Sequence, residues 1–238
     1  VNYLQLCQNY VAELGIAGGT GPSDVTGQLG ELNNVTRWVR DAALAIDNLW
    51  LDWKYLWVQY TGSALVNDTS LPAPANAVLV RLWDLKRFRF RATGSSDQWQ
   101  AIDYVTRDQM MRQYDPDNAI PSAPQVFTIM PDNSIMLSAP LNAGYDFKGE
   151  FWRRPVALAA KTDVPMIPAE FHRVILARAA VFYGNREDAP EVIQGMEAEY
   201  MDGLDKLQSD QLESFSLRRT STDREPEQRR PDYRGFLV

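Results

Sequence analysis

The 238-residue chain has one cysteine, one histidine and a deficit of positive charge. Cys7 alone cannot close an intrachain disulfide, which excludes a disulfide-stapled secreted scaffold. Zinc centres built from several Cys and His ligands are excluded with it. A Ser-His-Asp or Cys-His centre would have to rest on His172. Lys and Arg number 24 against 31 Asp and Glu, a formal charge of -7, which argues against a protein that grips nucleic acid through its phosphates. No segment approaches 18 consecutive apolar residues, so no transmembrane helix and no membrane partner are expected. Val1-Asn2-Tyr3-Leu4-Gln5 lacks the basic start and apolar run of a signal peptide, and the default expectation is a cytoplasmic location. No cofactor is expected.

What is present is ordinary globular material, 45% hydrophobic and 23% charged, enough for one large domain or two small ones. Tyr3, Leu6, Cys7, Tyr10, Val11 and Leu14 recur at helical spacing and predict a helix over about 2–15, stopped by Gly15, Gly18, Gly19, Gly21 and Pro22. That Gly-rich stretch has neither a Lys-Ser/Thr pair nor GxGxxG, so it reads as a loop and not as a phosphate cradle. From Gln28 a stripe through Leu32, Val35, Val39, Ala42, Ile46, Leu49, Trp53, Leu56 and Tyr60 predicts a helix of about 45 Å over 28–57, with a possible break at Leu51–Trp53. Trp38, Trp50 and Trp57 lie close to this stripe and read as core or subunit seam, with a carbohydrate platform as the alternative.

Residues 58–162 change character. Short β-rich runs occur at 78–83, 87–92, 98–105, 125–130, 134–138 and 145–154. Phe88-Arg89-Phe90-Arg91 alternates, aromatics inward and arginines outward. Pro131-Asp132-Asn133 marks a hairpin turn. Thr106-Arg107-Asp108-Gln109 fits a capping box opening a short helix to about Arg112, and Asp115-Pro116-Asp117 would close it. Beyond Pro168, Phe171, Val174, Ile175, Ala179 and Phe182 predict a helix ending at Gly184. Asp188 as cap with Glu191 three residues on predicts a second helix, carrying Val192, Met196, Tyr200, Leu204 and Leu207 to about Glu213. The expected class is α+β: a helical bundle (1–57 and 163–215, the latter a helical hairpin), an inserted small antiparallel β sandwich or barrel (58–162), and an extended C-terminal tail (216–238).

The tail holds six arginines and four acids, which leaves 18 basic and 27 acidic residues and a charge of -9 on the body. Its sparse apolar content predicts disorder in isolation. Arg218, Arg219, Arg229 and Arg230, followed by Tyr233 and Phe236, suit docking onto a partner by folding on binding. Elsewhere chemistry is thin. Asp115 with Asp117, Glu197 with Glu199, and Glu187 with Asp188 are candidate acid/base carboxylates, each also explained by turns, solvated helix faces or caps. Glu170-Phe171-His172-Arg173 is not the HExxH zinc pattern. Cys7 reads as a small core residue. The Arg87–Arg91 alternation resembles a nucleic-acid strand surface, but the acidic body counts against that reading.

Asn2-Tyr3-Leu4-Gln5-Leu6-Cys7-Gln8, Gly19-Thr20-Gly21-Pro22, Val25-Thr26-Gly27-Gln28-Leu29-Gly30-Glu31, Trp38-Val39-Arg40-Asp41-Ala42 and Asp52-Trp53-Lys54 together resemble the head-to-tail adaptor (connector) proteins of tailed bacteriophages. The late helix pair, with Tyr183-Gly184 before its turn, is similar to the family's C-terminal pattern. The resemblance implies a helical bundle with an inserted β domain and no catalytic or metal-ligating residues. It also implies a ring, usually of twelve copies, beneath the portal protein in the virion neck. Genomic DNA passes through that ring to a downstream tail or nozzle protein, and a C-terminal segment reaches onto the portal. Such a ring would be assembled in the host cytoplasm. Two other readings stand beside it: a virion-associated peptidoglycan hydrolase using paired carboxylates, and a small DNA-packaging factor.

Overall fold

The computed structural model describes residues 1–75, 79–114 and 119–212. Helix α1 (Tyr3–Leu14) starts at a capping box in which the Asn2 side chain accepts from the Gln5 amide at 2.9 Å and Gln5 answers at 3.0 Å, and it ends at Gly15 with φ 64°. Helix α2 (Gly30–Asp47) buries Val35, Trp38, Val39, Ala42, Ala43 and Ile46.

The predicted helix to residue 57 stops ten residues early. After Asp47 the chain folds back, the Trp53 indole donates to the Ile46 carbonyl at 3.2 Å, and a single 3-10 turn (Lys54–Leu56) leads into strand β1 (Trp57–Ala64). Leu49, Trp53 and Leu56 continue the helical spacing without continuing the helix. Trp53 and Leu56 are buried by this fold-back and Leu49 is exposed.

The β region contains β2 (Ser70–Leu71), β3 (Val80–Trp83), β4 (Arg89–Ala92), β5 (Gln100–Ala101), β6 (Asp103–Tyr104), β7 (Val126–Ile129), β8 (Ile135–Leu137) and β9 (Tyr145–Arg153). One sheet runs β1-β9-β4-β5, with β3 also on β9, and the other runs β2-β8-β7-β6. The barrel alternative is overturned: both sheets are open. Strands of two residues at their margins carry too few ladder hydrogen bonds to close a cylinder. The pairing is antiparallel except for β6 with β7, which is parallel. The sheets meet where Phe88 stacks on Phe127 at 4.4 Å between ring centroids. The 131–133 turn joins β7 to β8, with Asn133 at φ 65°.

Between β6 and β7, helix α3 (Arg107–Gln113) opens at the expected capping box of Thr106 and Gln109. So short a helix depends on its cap. Thr106→Ala is expected to lower stability by about 1 kcal/mol, read from denaturant unfolding. The expected closing turn at 115–117 lies outside the described residues.

A 3-10 turn (Ala169–Phe171) leads into α4 (His172–Glu187), and α5 (Pro190–Gln211) follows. Two expectations are corrected. Helix α4 passes Gly184 and ends at Asp188, which takes the left-handed conformation (φ 52°) and so terminates α4 instead of capping α5; Ala189 precedes α5 and Pro190 occupies its first turn. Nor is α4 one-sided: Val174, Ile175, Leu176, Ala177, Ala179, Ala180 and Val181 are all buried, because α1, α2 and α5 pack around it. Helices α4 and α5 run antiparallel, with Gly184 against Ile193 and Gly203 against Val174.

Two apolar cores result. One unites Tyr3, Leu6, Tyr10, Val39, Ile46, Trp53, Ile175 and Leu207. The other unites Tyr60, Trp83, Phe88, Phe127, Leu137, Phe147 and Phe151.

Candidate assembly surfaces

Cys7, His172, Glu199 and Glu187 are engaged structurally. Cys7 is buried, and burial pushes its thiol up to about 12, so it carries no thiolate near neutral pH. His172 is buried at the start of α4 with Nε2 3.0 Å from the Ile167 carbonyl, and desolvation lowers its pKa and keeps it neutral. Glu199 is held by Arg173, which also grips Glu13, so that α1, α4 and α5 are tied by one guanidinium. Glu187 pairs with Arg186 at 3.6 Å. Among the described residues no group of three His, Cys, Asp or Glu could hold a metal, and no helix is long and apolar enough to cross a membrane.

The tryptophans divide. Trp53 is fully buried and stacks on Tyr55 at 5.5 Å. Trp38 meets Tyr183 edge-on at 5.8 Å, under the Arg186 guanidinium. Trp57 stays 45% exposed.

Sequence reading missed Asp47. It lies at the end of α2, 3% exposed, and accepts from the Tyr55 hydroxyl at 2.9 Å, while its backbone carbonyl accepts from Arg81 Nη1 at 3.4 Å. Arg81 and Arg153, from β3 and β9, favour its charged form, but burial outweighs them and raises its pKa to about 6. The group thus joins the end of a core helix to the larger sheet. Its signal was an acid beside Ile46 on the apolar side of α2, which resembles an ordinary helix-end aspartate in sequence alone.

The outward face of the larger sheet is the most distinctive surface. In β9, Tyr145, Phe147, Gly149 and Phe151 point to the core, so Asp146, Lys148, Glu150 and Trp152 point away. Register then sets neighbours across the strands. Trp57 and Leu82 flank Trp152, and Thr61 and Arg89 flank Lys148. Glu150 pairs with Arg87 at 3.3 Å, and Asp146 lies 3.9 Å from Arg91. Arg89, by contrast, stands directly opposite Lys148, a like-charge pair that disfavours the sheet on its own. Trp99 takes Lys148 at 4.5 Å and Arg91 at 4.6 Å from its ring centroid. The outward arginines expected from Phe88–Arg91 are therefore real, and they share their face with tryptophans.

All six tail residues singled out in the sequence (Arg218, Arg219, Arg229, Arg230, Tyr233 and Phe236) lie outside the described residues. No curated protein matches the chain. The sequence profile of the family described as SU10 adaptor protein matches residues 1–225, which takes in both cores and the start of the tail. That span bears out the resemblance drawn from the N-terminal motifs and the late helix pair, and the chain belongs to the SU10 adaptor protein family.

Proposed function

We propose that this chain is a ring-forming head-to-tail adaptor, seated beneath the portal and offering the platform for the next tail or nozzle protein. The family match over residues 1–225 carries the reading. The engagement of Cys7, His172 and Glu199 in structural contacts supports a protein that works by shape and charge instead of by catalysis. The proposed organisation is a helical bundle (1–57 and 163–215) and a sandwich-like β unit (58–162), with Asp47, Arg81 and Arg153 at their joint. Twelve copies around the neck channel, in the virion, would match a twelve-fold portal. An acidic body of charge -9 would repel DNA phosphates and let the duplex slide.

The tail is the proposed portal anchor, through Arg218, Arg219, Arg229, Arg230, Tyr233 and Phe236. Mixing the full chain with its portal and imaging the particles by cryo-electron microscopy tests the whole reading. A chain that stays monomeric and never binds portal oligomers sinks it. Deleting residues 216–238 is expected to leave the melting temperature unchanged and to weaken portal attachment tenfold or more. Attachment as tight as that of the full chain would remove the tail from the interface.

A further inference from the structure

Resting on the ring reading, we infer that the outward face of the larger sheet receives the exposed stripe of α5 from a second copy of this chain. Two surfaces of one chain are complementary in charge and in relief. On the sheet, Lys148 and Arg89 sit side by side next to Trp99; Asp146 and Glu150, on either side of Lys148, are taken by Arg91 and Arg87, and the exposed Trp57 and Leu82 lie further along the same face. A like-charge cross-strand pair costs stability in the isolated protein and is relieved when carboxylates dock against it.

On α5, Tyr200, Leu204 and Leu207 face the core. The opposite stripe carries Glu191, Asp202 and Asp205 around the exposed Ala198, with Met201 and Glu197 on its flank towards Leu204. Asp202 is partly neutralised by Lys206 at 2.5 Å, whereas among the described residues Glu191 and Asp205 make no ion pair. Gly195 lies on the same stripe, and a Cβ there would meet nothing within 4 Å. A glycine inside a helix is unfavourable, and no neighbour among the described residues requires this one. It leaves a shallow place where another surface can approach the helix.

The two patches differ, so the contact is heterologous. Each copy gives its helix to one neighbour and its sheet to the other, the geometry that closes into a ring.

The test reverses each patch in the full-length chain and measures copy-to-copy association by sedimentation, with portal added if the wild type needs it. Arg89→Glu with Lys148→Glu is expected to weaken association tenfold or more, and so is Asp202→Lys with Asp205→Lys. Mixing the two variants should restore it, because each then meets a complementary neighbour. Gly195→Gln should weaken association while leaving the melting temperature close to that of the wild type. Wild-type association by either reversed variant overturns the inference, as does a mixture of two folded variants that stays apart. So does an α5 reversal that alters DNA passage and leaves assembly intact. In all three cases the ring reading survives. A wild-type chain that never associates, even with portal, overturns the ring reading itself.

Discussion

Replacing Phe88 with alanine is expected to lower the folding free energy by about 3–5 kcal/mol, the range for deleting a fully buried aromatic ring. Phe88 is 0% exposed and stands where the two sheets meet, 4.4 Å from Phe127 and 6.1–6.3 Å from Tyr60, Trp83 and Phe147 between centroids. Removing the ring opens a cavity lined by four other rings that cannot all move into it, and it abolishes aromatic contacts worth more than their area alone. At roughly 2–4 °C per kcal/mol for a chain of this size, the melting temperature should fall by about 6–20 °C.

The same site explains Gly149. A Cβ there would lie 2.4 Å from two Phe88 ring carbons, so Gly149→Ala overpacks the core and is expected to cost about 1–3 kcal/mol. In a Phe88→Ala background that penalty should vanish, which a double-mutant cycle reads directly. A loss below about 1 kcal/mol for Phe88→Ala would show that the sheets are not held together at this ring.

The second large effect is a pH dependence centred on Asp47. Burial raises its folded-state pKa to about 6, against about 3.9 in the unfolded chain. The folded protein therefore holds this proton more tightly than the unfolded one. The stability it contributes is fully present below about pH 4 and is lost as the pH rises through 6, on the order of 3 kcal/mol in all. Asp47→Asn removes the titrating group while leaving an acceptor for the Tyr55 hydroxyl. The wild-type stability minus that of the variant should fall across pH 4 to 7 and be flat above. A difference that stays constant over that interval would place Asp47 in contact with water. This slope runs opposite to that of an ion-paired surface carboxylate, because desolvation here outweighs the pull of Arg81 and Arg153.

Much of the architecture could be read directly from local chemistry. The capping boxes at Asn2–Gln5 and Thr106–Gln109, the turn at 131–133 and the alternation at Phe88–Arg91 appear where their side chains require them. These signals depend on neighbours a few residues apart. The errors share one cause. Trp53 and Leu56 kept helical spacing because the fold-back after Asp47 also buries apolar residues, and spacing does not distinguish the two. Asp188 satisfied the rule for starting a helix and was used to stop one. Both outcomes depend on what packs against the segment.

Composition and short motifs alone determined that the chain is α+β and acidic, and that its single cysteine and histidine leave little for catalysis. The N-terminal motifs also pointed to the adaptor family. Tertiary structure decided the rest: that Asp47 is buried at the joint between helix and sheet, that the sheets stay open, and that Arg89 faces Lys148 on the outward face of the larger sheet, beside Trp99 and in line with the exposed Trp57. Register and burial are set by contacts between residues tens of positions apart, and one strand shifted by a single residue would have turned that face inward.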